Sequence, residues 1–198
     1  MPSCYRGHIV GQKPPLKPRE VWSIRTRLQV TDAKRDLALF NLAIDSKLRG
    51  CDLVAITVGD IALSGNVRDR AVIVQRKTGR PVQFEITEPT RAAVGAWIAS
   101  HHLTETDFLF PSRVRVKPHM STRQYGRIVE KWVSSIGLDP KRYGTHSMRR
   151  TKASLIYKKT GNIRAVQLLL GHTKLESTVR YLGIEVDDAL AISEQVEL

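Results

Sequence analysis

The chain has 198 residues, 41% of them hydrophobic, which suits one ordinary domain with a real core and excludes a disordered segment. Its 32 Lys+Arg against 19 Asp+Glu give a formal net charge of +13. Two cysteines, Cys4 and Cys51, exclude a disulfide framework and lack zinc-site spacing, no apolar run is long enough to span a membrane, and the polar opening MPSCYRGHIVGQKPPLKPRE is no signal peptide, so a reducing, cytoplasmic setting is expected.

The charge is unevenly spread. Residues 182–198 hold five acids and no base, which leaves 32 bases against 14 acids in the first 181 residues. A body so charged repels itself unless a polyanion shares its surface, and nucleic acid is the expected partner. A merely solvated basic surface is the plain alternative.

In chain order, residues 1–19 read as a basic, flexible arm, since Pro14, Pro15 and Pro18 oppose regular structure. From Glu20 the pattern turns helical. Leu37, Phe40, Ile44 and Leu48 recur at helical spacing and predict an amphipathic helix over about 32–48, ending near Arg49-Gly50. A short helix through DLVAI follows, with Asp52 in its first turn. The runs AVIVQ and PVQFEI predict strands joined by a hairpin at Thr78-Gly79, and TVGDIAL supplies a candidate third strand. Helices are then expected at about 88–100, 121–136 and 145–159, and from Ile163 to Leu170 with Asn162 as cap and Gly171 as stop. Thr173 and Glu176 read as a capping box for a further helix through Tyr181, and the acidic end, about 185–196, for a last short one. The fold class is mainly α with a small antiparallel β-sheet (α+β).

Four groups of residues are candidates for chemistry. In the helix over 174–182, Leu175, Val179 and Leu182 form a narrow stripe expected to face the core, with Tyr181 about 100° or more away from it. His172 lies in the turn before. In YGTHSMRRTKAS, His146 and Arg149 stand at i and i+3 on one helix face. In SKLRGCDL, Arg49 stands at a helix end with Asp52 three residues on, placed to brace the guanidinium. Lys77 occupies the hairpin tip. Singly, each has an ordinary structural explanation on so basic a chain.

Together, LRGCDL, QRKTGRPV, THSMRRT and LLLGHTKLESTVRY carry the order Arg, Lys, His-x-x-Arg, Gly-His, Tyr, and this order resembles the catalytic domain of the tyrosine recombinases, the phage integrase family. The resemblance covers about residues 30–185. It implies a catalytic domain over 20–185, preceded by the arm and followed by an acidic tail or docking helix at 186–198. It also implies site-specific cleavage and rejoining of double-stranded DNA, without cofactor, metal or ATP. Tyr181 would be the nucleophile and form a 3′-phosphotyrosine. Arg49, Arg149, His146 and His172 would serve the phosphate, Lys77 would protonate the leaving 5′-oxygen, and Asp52 would support the first arginine. The expected assembly is a homotetramer on DNA, with accessory DNA-bending proteins as possible partners and no membrane, in a bacterial or archaeal host or on a phage or other mobile element. Most relatives carry a separate N-terminal domain, and only about 30 residues precede the matching region here. Two readings stand beside this one, relaxation of supercoils by a type IB topoisomerase-like enzyme and DNA binding by an inactive relative. The target sequence, and the choice between integration, excision, inversion and resolution, are not legible in the chain.

Overall fold

The computed structural model describes residues 12–113, 118–183 and Glu194. Helix α1 (Pro18–Val30) opens with a proline at its first position, where no N–H is required, and the Lys17 N–H donates to the Glu20 carboxylate at 2.8 Å. The second half of the expected flexible arm is therefore fixed. Leu16 is 2% exposed and its N–H donates to Thr151, because an apolar side chain between prolines can be buried without regular structure.

Helix α2 (Lys34–Ser46) is the centre of the molecule. Every residue from Ala38 to Ser46 is buried, and α1, α5 (Glu88–Ser100) and α7 (Thr145–Thr160) pack around it. Phe40 meets Trp132 of α6 (Thr122–Ser135) edge to face at 5.3 Å, and the Trp97 indole donates to the Leu109 carbonyl. The helix stops earlier than its apolar spacing predicts. Lys47 takes the left-handed conformation (φ 54°), a rare choice for a side-chain-bearing residue, and Arg49 becomes the N-cap of α3 (Gly50–Leu53). Asp52 lies in that first turn, as expected.

TVGDIAL departs from its reading as a third strand of the hairpin sheet. The Thr57 N–H donates to the Asp60 carboxylate, a short helix α4 (Val58–Ile61) forms, and only Ala62–Leu63 (β1) remain extended, paired with Asn66–Val67 (β2) in a separate ribbon. The expected hairpin forms from β3 (Arg70–Val74) and β4 (Pro81–Glu85), in antiparallel register with Ile73 opposite Val82. Two small antiparallel ribbons thus stand where one sheet was expected.

Beneath the hairpin lies an ion cluster that the sequence did not announce. The fully buried Lys47 ammonium meets both oxygens of Glu85 at 3.0 Å, and Lys152 bridges Asp45 (2.7 Å) and Glu85 (2.6 Å). Asp45 also accepts from the Thr87 N–H and from the hydroxyls of Thr87 and Thr90. Burial pushes both carboxylates up, but these hydrogen bonds and ammonium charges outweigh it and hold Asp45 and Glu85 below the usual carboxylate range. A depressed carboxylate stabilises the fold while it is ionised. The melting temperature should therefore hold steady at neutral pH and fall as pH drops through the ordinary carboxylate value of about 4 and below. Asp45→Asn should flatten that acid decline in a pH series of thermal melts.

Helices α7, α8 (Ile163–Leu170) and α9 (Leu175–Leu182) close the domain over the hairpin. The Asn162 side chain accepts from the Ala165 N–H and Gly171 ends α8 at φ 66°, both as read from the sequence. The Thr173–Glu176 capping box does not form. Lys174 is the N-cap, with no side-chain cap. The proposed helix at 185–196 and the acidic tail lie outside the described residues, apart from Glu194.

Candidate active site

Arg149 is the buried hub. It is 3% exposed, and its guanidinium donates to two main-chain carbonyls, that of Lys47 and that of Leu170, the latter at 2.8 Å. These carbonyls lie at the C-terminal ends of α2 and α8, where helices leave acceptors unpaired and favour a cation. Two of the five guanidinium N–H groups are committed there. Burial lowers the Arg149 pKa, Arg49 lowers it further, and Tyr181 and Asp52 act the other way.

Arg49 reaches the same region from the N-cap of α3. Its Nη1 donates at 2.6 Å to the Gln75 side chain. Asp52 does not brace it, and no ion pair joins the two. One Asp52 oxygen instead accepts the Arg76 N–H at 2.9 Å, while the other is buried without a partner among the described residues. Asp52 thus anchors the base of the hairpin that carries Lys77.

Gln75 is the residue that the sequence reading missed here. It is fully buried, accepts from Arg49 and Thr78, and donates to the Leu170 carbonyl at 3.3 Å. Strand alternation held the signal, because Ala71, Ile73 and Gln75 all face inward. A glutamine at the inward end of a strand needs polar partners.

Lys77 lies exposed in the turn of the hairpin, with no partner among the described residues. His146 opens to solvent at the second position of α7. Partial desolvation, then the charges of Arg149, Arg150 and Arg49, hold its pKa below the ordinary value. His172 sits in the turn after α8, with Nδ1 3.1 Å from the Thr178 hydroxyl. Burial, with Arg149 and Arg49, pushes its pKa down to about 4, so the imidazole is neutral at physiological pH.

Tyr181 stands among these groups. Its ring meets His172 edge-on at 5.4 Å, and the guanidinium carbons of Arg149 and Arg150 lie 5.8 and 5.4 Å from its centroid. Its hydroxyl is buried and forms no hydrogen bond of good geometry among the described residues. Burial pushes the phenol up to about 12, against the pull of Arg149, Arg150 and Arg49. The orientation of α9 corrects the expected one. Leu175 is 42% exposed, and Thr178 is the buried residue of the helix. The inward face carries Thr178 and Tyr181, and Leu182 packs beside the tyrosine on a small apolar cluster of Ala153, Val166 and Leu170.

Arg49, His146, Arg149, His172 and Tyr181, which come from three separate stretches of the chain, therefore share one electrostatic environment, with Lys77 on the hairpin beside it. The sequence matches the Phage integrase family over residues 15–186. The chain belongs to that family. It is 30% identical over 158 residues to the probable integrase/recombinase YoeC of Bacillus subtilis (strain 168), covering 80% of this chain and 82% of that protein. It is 30% identical over 164 residues to the tyrosine recombinase XerC of Psychromonas ingrahamii, covering 81% of this chain but 52% of that protein, so it spans about half the length of such relatives. Among solved structures, the XerH site-specific recombinase bound to its difH substrate in a pre-cleavage complex has the same fold (TM-score 0.70, 18% identity, 92% of this chain and 55% of that one).

Proposed function

We propose that this phage integrase family member is a site-specific recombinase that cleaves and rejoins double-stranded DNA through Tyr181. The observation that carries this reading is the placement of Tyr181, whose buried hydroxyl forms no hydrogen bond of good geometry among the described residues and whose ring lies among Arg149, Arg150 and His172. A scissile phosphate seated on Arg49 and Arg149 brings its phosphorus to that oxygen.

In the forward step the phenolic oxygen bonds to phosphorus, the P–O5′ bond breaks, and a 3′-phosphotyrosine remains. Charge gathers on the non-bridging oxygens, where the guanidinium forks of Arg49 and Arg149 are already fixed by Gln75 and by two helix-end carbonyls. Neutral His172 suits this role. In the tautomer whose Nδ1 accepts from Thr178, its Nε2–H can donate to a phosphoryl oxygen. His146, also held below its ordinary pKa, is the available acceptor for the phenolic proton. Lys77 gives a proton to the departing 5′-oxygen from the exposed turn. A 5′-hydroxyl of a partner strand then reverses these steps. The phosphotyrosine conserves the energy of the phosphodiester, so sealing requires no ATP.

On this reading the enzyme works in the cytoplasm of a prokaryotic cell or on a mobile element there, and assembles as a tetramer on its DNA. The test is covalent trapping. Nicked duplexes selected from a randomised pool for binding are incubated with the wild type and with Tyr181→Phe, then denatured. A protein–DNA adduct from the wild type alone is expected, with equal DNA binding by both. An adduct from the phenylalanine variant would point to another nucleophile. Binding by both with no adduct from either would leave a DNA-binding protein without this chemistry. Junction formation between two sites, rather than relaxation of a supercoiled plasmid, separates recombinase from topoisomerase.

A further inference from the structure

Arg150 has no part in the chemistry just described, yet it is as enclosed as the residues that do. It is 7% exposed, its guanidinium carbon lies 5.4 Å from the centroid of the Tyr181 ring, and its Nε is buried without a partner among the described residues. One end of the fork, Nη1, donates to the Lys13 carbonyl at 3.1 Å. The other, Nη2, lies 3.7 Å from where a side chain on Gly183, the C-cap of α9, would begin.

Lys13 belongs to the extended segment that precedes α1, and this segment touches the nucleophile's helix a second time. The Gln12 side chain donates at 2.7 Å to the Arg180 carbonyl, in the last turn of α9. That carbonyl also accepts the Gly183 N–H at the C-cap, so the strap adds a second bond where the helix ends. Leu16 fixes the far end of the segment through its N–H to Thr151, one residue beyond Arg150. Residues 12–16 therefore run as a strap from α7 to the end of α9, with Arg150 between strap and tyrosine.

We propose that Arg150 is a positioning residue for Tyr181, clamping the strap of residues 12–16 against α9 and holding the phenol ring beneath its guanidinium. Helix α9 has only eight residues and buries one of them, so its own packing defines its placement weakly. A cation over a phenol ring in a desolvated pocket is attracted to the ring face and adds a directional hold. The same charge, after that of Arg149, opposes the burial that raises the phenol's pKa. An angstrom of displacement at a reacting atom costs on the order of 100-fold in rate, so a clamp on a short helix has a large effect on cleavage.

This inference rests on Tyr181 being the nucleophile, and its test uses the adduct assay in single-turnover form. Arg150→Met keeps the length and apolar stem without the charge, and Arg150→Lys restores a charge. Each is assayed on nicked DNA with a normal scissile phosphate and with sulfur in place of the bridging 5′-oxygen. A thiolate leaves without a general acid, since thiols ionise near pH 8.5. With wild type forming its adduct, Arg150→Met should bind DNA normally and cleave roughly 10–100-fold more slowly on both substrates. Arg150→Lys should regain most of the rate. Wild-type cleavage by Arg150→Met overturns the proposal. So does rescue by sulfur, which would place the defect at the leaving group, and so does a folded lysine variant no faster than the methionine one. If circular dichroism shows Arg150→Met unfolded, Gln12→Ala decides, because Gln12 is exposed and its loss frees only the strap's bond to α9. Slower cleavage supports the clamp, and an unchanged rate rejects it. A wild type that forms no adduct would instead remove the functional reading itself.

Discussion

Arg149→Ala is expected to slow covalent cleavage by about 100- to 1,000-fold, the range seen when one fixed donor to a developing oxyanion is removed. The same substitution should also cost stability, because the two roles share one guanidinium. Its inner N–H groups hold the carbonyls of Lys47 and Leu170, and in the proposed reaction the outer ones serve the phosphate. The Lys47 carbonyl, left unpaired, costs about 1–3 kcal/mol where water does not reach it, while the Leu170 carbonyl keeps the Gln75 amide. Arg149→Lys separates the roles. An ammonium retains the charge but cannot span two helix ends and still present a planar fork. It should recover part of the melting temperature and little of the rate. Thermal melts alongside single-turnover trapping measure both, and a lysine variant cleaving within a few-fold of wild type would show that the fork is not required.

Gly171→Ala is expected to lower the melting temperature on the order of 10 °C and to impair cleavage with it. At φ 66° a side chain costs about 1–2 kcal/mol. The added methyl would lie 2.4 Å from the Val82 side chain of β4 and 3.2 Å from the Gln75 amide, and such overpacking adds about 1–3 kcal/mol. For a chain of this length each kcal/mol moves the midpoint by about 2–4 °C. The functional loss follows from geometry, since the methyl pushes on the hairpin bearing Lys77 and on the glutamine holding Arg49. Gly79→Ala is the control. Its φ is 63° with nothing within 4 Å of the added methyl, so it should show the backbone cost alone. Equal melting temperatures for the two variants would mean that the contact with Val82 relaxes freely.

The amino-acid sequence by itself determined most of the local elements and which side chains are available for chemistry. Apolar spacing produced α2, the hairpin and the helices after it, because those patterns depend on neighbours only a few residues apart. The cap at Asn162 and the stop at Gly171 were legible for the same reason. The ordered Arg, Lys, His-x-x-Arg, His and Tyr set, with the basic charge, already pointed to phosphate chemistry on DNA. Tertiary structure decided what holds those residues. The partners of Gln75, Lys47 and Arg150 lie 26, 38 and 137 positions away in the chain, so no local pattern names them. Asp52 serves the hairpin and not its sequence neighbour Arg49, because a turn of α3 aims its carboxylate at the Arg76 N–H. The rotation of α9 was likewise invisible to an apolar stripe. A short helix over a charged site buries a hydroxyl as well as an apolar end, so Leu175 is left exposed, Leu182 packs on the small apolar cluster and the tyrosine points to the arginines.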